Sequence, residues 1–328
     1  MKAAWFEKFG SAGEVLQIGD QALPKPGPDQ VLVRVRTSGV NPSDVKKRMG
    51  SFPNMLDESI CIPHSDGAGD IVSVGVDVDE SRIGQRVWLY QAQFARMFGS
   101  CAEYVAVDSN RAVLLPDMAS YEVGACLGIP AMTAHRCVFS DGGVEGQTVL
   151  ITGGAGRVGF YAIQWASHAG AIVIASASNS EDAEVCRNAG ANHIVNHRSD
   201  SMVEDILAIT GESKVNRVID VEFGANLSRV LEVIAVNGII ATYSSTQVIE
   251  PKIPFFQMMY LDLTLRLVIV YAMPEKAKIA AIEDISAALT EGWMTHRVTA
   301  TYPLEEVAAA HVLIESGSTR GCVVVDLA

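Results

Sequence analysis

The spacing of apolar and polar residues divides the chain into two kinds of segment. Up to about residue 122, apolar and polar side chains alternate with a period of two, as in VLVRVRTSGV, GAGDIVSVGVDV and GQRVWLY, which is typical of half-buried strands. From about residue 148, short apolar runs are separated by stretches long enough for helices: VLIT, AIVIAS, HIVN, RVID, GIIATYS and LRLVIVY. This second pattern predicts a doubly wound parallel sheet.

The C-terminal segment follows a helix, strand, helix and strand pattern. Beyond Pro274, EKAKIAAIEDISAALTEG predicts an amphipathic helix, and RVTATYPL, EEVAAAHVLIESG and GCVVVDL predict a strand, a helix and a strand. We therefore predict an α/β fold of two domains. Residues 1–122 and 273–328 form a mostly β domain, and residues 123–272 form the doubly wound domain.

The composition is that of an ordinary globular protein and argues against several functions. A chain of 328 residues with 49% hydrophobic content can build two cores. Its net charge of −13 repels phosphate backbones and anionic lipid surfaces, so we expect no nucleic-acid or membrane partner. The most apolar window contains Arg266, and the six cysteines are scattered. We therefore expect a cytoplasmic protein with reduced thiols.

A glycine-rich sequence, ITGGAGRVGF at residues 151–160, connects a predicted strand to a predicted helix. Gly154, Gly156 and Gly159 match the pattern G-x-G-x-x-G, whose glycines allow, in order, a tight turn, a close approach of backbone to a pyrophosphate, and packing of helix on strand. The helix N-terminus adds free N–H donors. A plain tight turn is the alternative interpretation. The residues predicted to bind a dinucleotide here are Gly154, Ala155, Gly156, Arg157, Val158 and Gly159.

The end of the second predicted strand indicates NADP(H) as the dinucleotide. An NAD site places an acid there to accept both ribose hydroxyls, but the sequence offers Ser178 and Asn179 instead. The third strand is followed by His197 and Arg198, which can reach a 2′-phosphate. The alternative is a solvated serine-rich loop with Arg198 at the surface. Arg157 either is solvated or binds the pyrophosphate.

Several motifs together resemble the medium-chain dehydrogenase/reductase superfamily: PKPGPDQVLVRV, GVNPSD, GDIVSVG, IPAMTAHR, GGAGRVG and NAGANHIVNHR. Within it, the chain is most similar to the zeta-crystallin-like NADPH:quinone oxidoreductases, and the resemblance spans nearly the whole chain. It implies a GroES-like catalytic domain for residues 1–122 and 273–328, and a Rossmann domain that binds NADPH for residues 123–272.

The same resemblance bears on metal binding. Zinc alcohol dehydrogenases of this superfamily hold a catalytic metal through a cysteine, a histidine and a second cysteine, where this chain has Asn41, Ser65 and Ile129. The four-cysteine lobe that binds structural zinc is also missing. His64 lies beside one former ligand position, but a lone histidine is usually a hydrogen-bonded core or cleft residue. We therefore expect no metal.

Without a Lewis acid, the expected chemistry is hydride transfer to an acceptor that is already electron-poor, such as a quinone or an α,β-unsaturated carbonyl. The resemblance implies that Asn41 and Thr133 lie near the nicotinamide and that Asp44 supports the turn. Tyr243 and Ser245 would flank the cofactor. Ordinary capping and packing is the alternative for these residues.

Two positions depart from the pattern of the resembling families. Many quinone reductases have tyrosine where this chain has Lys46, and both they and enoyl-thioester reductases have tyrosine near Phe52. Phenylalanine cannot donate a proton, which favours quinones, whose reduced oxygens can take protons from water. Lys46 is nevertheless a catalytic candidate. Lys46, Lys47 and Arg48 form either a basic rim for an anionic substrate or a solvated helix face.

The leading hypothesis is therefore a zinc-independent NADPH:quinone reductase. The alternatives are an NADPH-dependent alkenal or enone reductase and a non-catalytic NADPH-binding protein. We also expect a homodimer, because residues 261–273, LDLTLRLVIVYAM, are too apolar for an exposed sheet edge. The resemblance implies that this strand pairs with its twofold mate, with Leu265, Leu267 and Ile269 on one face. A covering helix would instead leave a monomer.

Overall fold

The computed structural model describes residues 1–52, 56 and 60–327. The chain forms two compact units, one of residues Met1–Ile129 and Ile282–Ala328, the other of residues Pro130–Ala281. Both boundaries fall later in the chain than the predicted 122/123 and 272/273. Residues just after 122 stay with the first unit because the helix Tyr121–Gly124 lies there and the backbone N–H of Ile129 is bound by Asp66 of the same unit.

Residues 1–129 contain these elements: β1 (Lys2–Trp5), α1 (Ala12–Val15), β2 (Gln17–Asp20), β3 (Gln30–Val40), α2 (Pro42–Arg48), β4 (Asp66–Val74), β5 (Arg86–Leu89), β6 (Tyr104–Asp108), β7 (Ala112–Leu114) and α3 (Tyr121–Gly124). The doubly wound part contains α4 (Met132–Phe139), β8 (Thr148–Ile151), α5 (Arg157–His168), β9 (Ile172–Ser176), α6 (Ser180–Asn188), β10 (His193–Val195), α7 (Met202–Thr210), β11 (Val215–Asp220), α8 (Phe223–Val233), β12 (Ile234–Thr242), α9 (Phe255–Tyr260) and β13 (Thr264–Leu267). The chain ends with α10 (Glu275–Glu291), β14 (Val298–Pro303), α11 (Val307–Glu315) and β15 (Cys322–Asp326).

The first unit is built on a mostly antiparallel sheet with the strand order β14-β15-β3-β4-β5-β7, and β6 also pairs with β3. Its central strand β3 has the predicted period of two in its middle part, with Val33 and Val35 buried and Arg34 exposed. The C-terminal strand β15 runs antiparallel to β3, with Val323 opposite Val40. The end of the chain thus completes the sheet of the mostly β unit.

The second unit, all of whose residues are described, has a six-stranded sheet in the order β10-β9-β8-β11-β12-β13. Every neighbouring pair is parallel, and Leu150, Ile174 and Val218 lie in its core. Counted along the chain, the strands read 3-2-1-4-5-6, so the winding direction reverses between β8 and β11. This is the Rossmann order, and the predicted α/β fold class is confirmed.

The last strand of this sheet is shorter than predicted. The apolar run LRLVIVY suggested a strand up to Tyr271, but β13 ends at Leu267 and a 3₁₀ turn follows at Val270–Ala272. Pairing stops because the partner strand β12 ends at Thr242, whose carbonyl accepts the N–H of Val268 at 2.8 Å. In the described part of the chain, no helix is long and apolar enough to cross a membrane.

One glycine of β3 has no room for a side chain. A Cβ at Gly39 would lie 2.1 Å from the carbonyl oxygen of Ala125, so we expect Gly39→Ala to lower the free energy of unfolding by roughly 1–3 kcal/mol or more. Gly13→Ala in α1 is the matched control, because a Cβ there meets nothing within 4 Å. Denaturant unfolding of both variants tests this, and equal midpoints would contradict it.

Candidate active site

The glycine loop follows β8 and leads directly into α5. Gly153 has the left-handed conformation of the tight turn, with φ of +63°. Sequence reasoning gave that role to Gly154, which was wrong: Gly154 is needed because a Cβ there would lie 2.7 Å from Cys186 Sγ. Gly159 lets α5 pack on the loop, since its Cβ would lie 2.3 Å from the carbonyl oxygen of Gly153.

Gly156 is the N-cap of α5 and has different surroundings. A Cβ at this position would meet only the carbonyl oxygen of Gly153, at 3.1 Å. The backbone is therefore approachable where the helix presents its first amide N–H groups, which have no partner within the helix. Arg157 and Val158, half-buried, begin the helix, and Ala155 is buried in the loop. This arrangement fits a phosphate group at the helix N-terminus.

The residues predicted to bind a 2′-phosphate follow β9 and β10, the two strands on one side of β8 in the sheet. The N–H of Ala177 donates to the carbonyl of Val195 at 2.9 Å, so the chain leaves β9 and β10 at the same edge. Ser178 and His197 are half-buried there, and Arg198 is exposed. The strand end carries Ser176, whose hydroxyl accepts the N–H of Gly153 at 2.9 Å.

Asn179 has a structural task at the same edge. Its side-chain oxygen accepts the N–H of Asp182 at 2.8 Å, and its amide nitrogen donates to the carboxylate of Asp182 at 2.9 Å. These bonds cap α6. The phosphate role predicted for Asn179 remains a prediction.

Asp220, which sequence reasoning missed, lies at the end of β11. Its carboxylate accepts the hydroxyl of Thr152 at 2.5 Å and the amide of Asn226 at 2.7 Å, and burial raises its pKa. The hydroxyl of Thr152 also accepts the N–H of Val221 at 2.9 Å. Asp220 thus joins the start of the glycine loop to the segment after β11. A lone acid at the end of the apolar run RVID was the available signal.

Tyr243 and Ser245 follow β12 and line one cavity of about 260 Å³. Burial raises the pKa of Tyr243 well above its ordinary value, so its phenol is neutral. The Ser245 hydroxyl accepts the N–H of Gly224 at 3.0 Å and donates to the carbonyl of Val248 at 2.5 Å. Thr133 is buried in the first turn of α4.

In the first unit, Asn41 follows β3 and caps α2. Its backbone N–H donates to Asp44 at 2.8 Å, and its side-chain amide donates to Asp66 at 2.9 Å. Asn41, Asp44 and Asp66 are all buried. The structure thus brings the predicted residues Asn41 and Asp44 together. It adds Asp66, an acid at the start of β4 that the sequence analysis did not select.

The comparisons with known proteins match both units. The alcohol dehydrogenase GroES-like domain family matches residues 27–117, and the zinc-binding dehydrogenase family matches residues 158–287. Human quinone oxidoreductase is 30% identical over 324 residues, covering 97% of this chain and 95% of the human protein. The chain belongs to the zeta-crystallin-like quinone oxidoreductase family. The family resemblance read from the motifs is confirmed.

Other relatives of this quinone oxidoreductase family member include a solved structure. A mycobacterial protein solved in complex with NADPH is 26% identical, with a TM-score of 0.87, covering 99% of this chain and 100% of that one. The chloroplastic NADPH-dependent alkenal/one oxidoreductase of Arabidopsis thaliana is 30% identical over 211 residues, which cover 63% of this chain and 54% of that protein.

In this quinone oxidoreductase family member, a hydrogen-bonded cluster occupies the positions that hold the zinc ligands in zinc alcohol dehydrogenases. Asn41 and the N–H of Ile129 both donate to Asp66, the latter at 2.9 and 3.0 Å. The hydroxyl of Ser65 accepts from the ammonium of Lys47 at 3.2 Å. Among the described residues, no group of three or more His, Cys, Asp or Glu could hold a metal ion.

The predicted basic rim is wrong for two of its three members. Lys46 is exposed, but Lys47 is buried and donates to the backbone carbonyl and the side-chain oxygen of Gln93 at 2.9 and 2.7 Å. Arg48 is fully buried and pairs with Glu315. Neither forms a solvated face, because α2 turns this side inward, where each cation meets acceptors.

His64 is a hydrogen-bonded core residue of the same unit. Its Nδ1 is 2.8 Å from the hydroxyl of Ser38, and its Nε2 is 2.9 Å from Nε2 of His311. Burial lowers the pKa of His64 well below its ordinary value and that of His311 to about 3, and each is lowered further by a nearby cation or imidazole. Both rings are therefore neutral.

These histidines predict a dependence of stability on pH. The unfolded chain takes up protons on histidine below about pH 6.5, whereas the folded pair does not, so the free energy of unfolding falls as the pH falls from there towards about 3. We expect His311→Gln, which keeps a donor for His64, to flatten this slope by up to about 1.4 kcal/mol per pH unit.

Thermal or denaturant unfolding at several pH values measures the slope. His193→Gln, at an exposed position of β10, is the control and should keep the wild-type slope. A slope in His311→Gln equal to that of the wild type would contradict the assignment.

Proposed function

We propose that this chain is an NADPH-dependent quinone reductase, which transfers a hydride from NADPH to a quinone or a similar electron-poor carbonyl acceptor. The observation that carries the proposal is the glycine loop at the point where the sheet reverses its winding, in a chain that belongs to the quinone oxidoreductase family. Ligands of open α/β sheets bind outside the carboxyl ends of the strands at such a point.

The residues of the second unit would hold the cofactor. The residues proposed for the pyrophosphate are Gly154, Ala155, Gly156, Arg157, Val158 and Gly159; those for the 2′-phosphate are Ser178, Asn179, His197 and Arg198; those for the rest of the cofactor are Tyr243 and Ser245. Because the net charge is −13, an anionic cofactor depends on these local donors. NADPH, when bound, supplies the hydride.

The catalytic residues proposed are Asn41, Asp44, Lys46 and Thr133. Asp44 holds the backbone of Asn41, so it fixes the turn that presents the amide. Lys46 is exposed, which leaves it able to attract an acceptor that carries negative charge. The reduced oxygens of a quinone take their protons from water.

An alkenal or enone reductase is the second candidate, favoured by the similarity to the Arabidopsis alkenal/one oxidoreductase, which is named for that activity. That similarity covers 63% of this chain, whereas the similarity to human quinone oxidoreductase covers 97%. Phe52 offers no hydroxyl as a proton donor. Quinones are therefore the favoured acceptors. A cytoplasmic location and the absence of a metal and of nucleic-acid partners stay predictions.

A panel of acceptors with both cofactors tests the function. We expect turnover of 1,4-naphthoquinone with NADPH to exceed that of 2-alkenals, and NADPH to bind at least about tenfold more tightly than NADH, since the 2′-phosphate gains donors and no acid at the end of β9 opposes it. Chelators should leave the rates unchanged. Faster turnover of alkenals would favour the second candidate, and equal affinities would contradict the cofactor assignment.

Gly156→Val provides the matched variant for this panel. Its side chain would stand where the backbone is approachable, so we expect loss of NADPH binding with the fold retained. The control is Gly143→Ala, where a Cβ meets nothing within 4 Å. A folded Gly156→Val protein that binds NADPH as the wild type does would contradict the loop assignment.

We also propose a homodimer formed through β13. This strand lies at the end of the sheet order, and Leu267 and Ile269 beside it are 73% and 50% exposed. Leu265, which was expected on the same face, instead packs against the core. The preceding helix α9 adds exposed apolar side chains: Phe255, Phe256, Met259 and Tyr260. A second copy of the chain would cover this surface and pair the strand edges.

The direction of the backbone groups allows a sharp test of the dimer. The N–H of Val268 points to β12, so that of Leu267 points to the open edge by alternation. Leu267→Pro removes that donor and should yield a monomer of 35.1 kDa in sedimentation at low micromolar concentration. Leu267→Thr keeps the donor and should remain dimeric, and a wild-type monomer would reject the proposal.

A further inference from the structure

Asp66 is a fully buried carboxylate at the start of β4, in register with Gly39 of β3. Its oxygens accept the N–H of Ile129 at 2.9 and 3.0 Å and the side-chain amide of Asn41 at 2.9 Å. The space is closed on another side by Gly128, where a Cβ would lie 2.1 Å from a carboxylate oxygen. The carboxyl group of Asp66 is therefore enclosed by Asn41, Gly128 and Ile129.

The hydrogen bonds of Asp66 are strongest in its ionised form. A backbone N–H and a side-chain NH₂ both donate and cannot accept, so a proton on the carboxyl group finds no acceptor in either of them and makes the carboxyl group a weaker acceptor for both. Burial nevertheless raises the pKa of Asp66 to about 8, with Asp44 adding to the rise and Lys47 of the same helix opposing it. Asp66 thus changes its charge near pH 8, a pH at which its contact with Asn41 can be measured in the folded protein.

The backbone of Asp66 is held by a chain of hydrogen bonds with one direction. The hydroxyl of Ser100 donates to the carbonyl of Asp66 at 2.5 Å, which fixes its proton. Ser38 must then donate to Ser100, and Nδ1 of His64 must donate to Ser38. His311 in turn donates to Nε2 of His64. Neutral imidazoles complete this chain, which binds the peptide of Asp66 and not its carboxyl group.

We propose that Asp66 is the positioning residue of Asn41: its carboxylate binds the amide nitrogen and fixes the orientation of the side chain, and protonation of Asp66 weakens this hydrogen bond. This inference rests on the proposed catalytic role of Asn41 for its effect on turnover, but not for the contact itself. The charged and titratable groups around Asp66 are Asp44 and Lys47 on α2 and, through Ser38 and Ser100, the pair His64 and His311.

The contact can be tested without activity by following the side-chain amide signal of Asn41 in a ¹H–¹⁵N spectrum, assigned with Asn41→Ala. In the wild-type protein, we expect the signal to move between about pH 6 and pH 10 with a midpoint near the Asp66 pKa of about 8. Asp66→Asn should remove the titration. The matched control is Asp70→Asn in the same strand, which binds Arg36 and Tyr121 instead and should keep it.

Turnover supplies the second measurement. We expect kcat for a quinone with saturating NADPH to rise with pH to a plateau above the Asp66 pKa of about 8, and kcat of Asp66→Asn to be about ten- to a hundredfold lower without this rise. The affinity of Asp66→Asn for NADPH should equal that of the wild type. An unfolded variant would lose this affinity, so the binding measurement distinguishes a positioning effect from unfolding.

The outcomes separate the two proposals. An Asn41 signal that does not titrate in the wild-type protein, or titrates alike in Asp66→Asn, would overturn the positioning role even if Asp66→Asn were slow. A titrating Asn41 signal in a protein without NADPH-dependent turnover would support the contact and reject the proposed function. No variant is needed for the wild-type titration, so a poorly folding Asp66→Asn does not remove the test.

Discussion

The pairing of β8 with β11 is the constraint on which the second unit depends. These strands are adjacent in the sheet although β9 and β10 lie between them in the chain, so the chain leaves their ends towards opposite faces. At those ends, the hydroxyl of Thr152 receives the N–H of Val221 and donates to Asp220. The glycine loop starts one residue later. The geometry of the glycine loop is therefore set by these hydrogen bonds between the ends of β8 and β11, as well as by the absence of side chains on its glycines.

Buried charge imposes the corresponding constraint on the first unit. Lys47, Arg48 and Asp66 have almost no exposed surface, and a buried ion or polar group is tolerated only when its hydrogen bonds are provided. Lys47 finds oxygens of Ser65 and Gln93, and Arg48 finds Glu315. Asp66 finds two donors. The cluster at the positions of the zinc ligands is thus a hydrogen-bonded polar core, which orders the turn around Asn41 with the chain's own groups.

The fold could be predicted from the sequence because its signals are local and repeated. Short apolar runs at regular spacing gave the parallel strands, and three glycines gave the loop between β8 and α5. The role of Gly154 was misassigned because a steric contact with Cys186 depends on the packing of another helix. Lys47 and Arg48 were expected at the surface because the sequence of α2 does not reveal their partners. These partners, Gln93 and Glu315, lie far from α2 along the chain. Asp66 was missed for the same reason, since Ile129 is remote in sequence.

The titratable groups of the first unit act on stability with opposite signs. His64 and His311 remain unprotonated in the folded chain, so the free energy of unfolding rises with pH up to the histidine pKa of the unfolded chain, about 6.5. Asp66 keeps its proton in the folded chain above the pKa of an unfolded aspartate, so its effect is a fall in that free energy as the pH rises towards about 8. Between about pH 4 and 6.5, the contribution of the two histidines outweighs that of the one carboxyl group, so their combined effect is a rise in the free energy of unfolding with pH. Above about pH 6.5, only Asp66 still contributes, and the free energy of unfolding falls with pH. The contribution of these three groups to the free energy of unfolding is therefore largest near pH 6.5. Ionisation of Asp66, which strengthens its contact with Asn41, lowers that free energy.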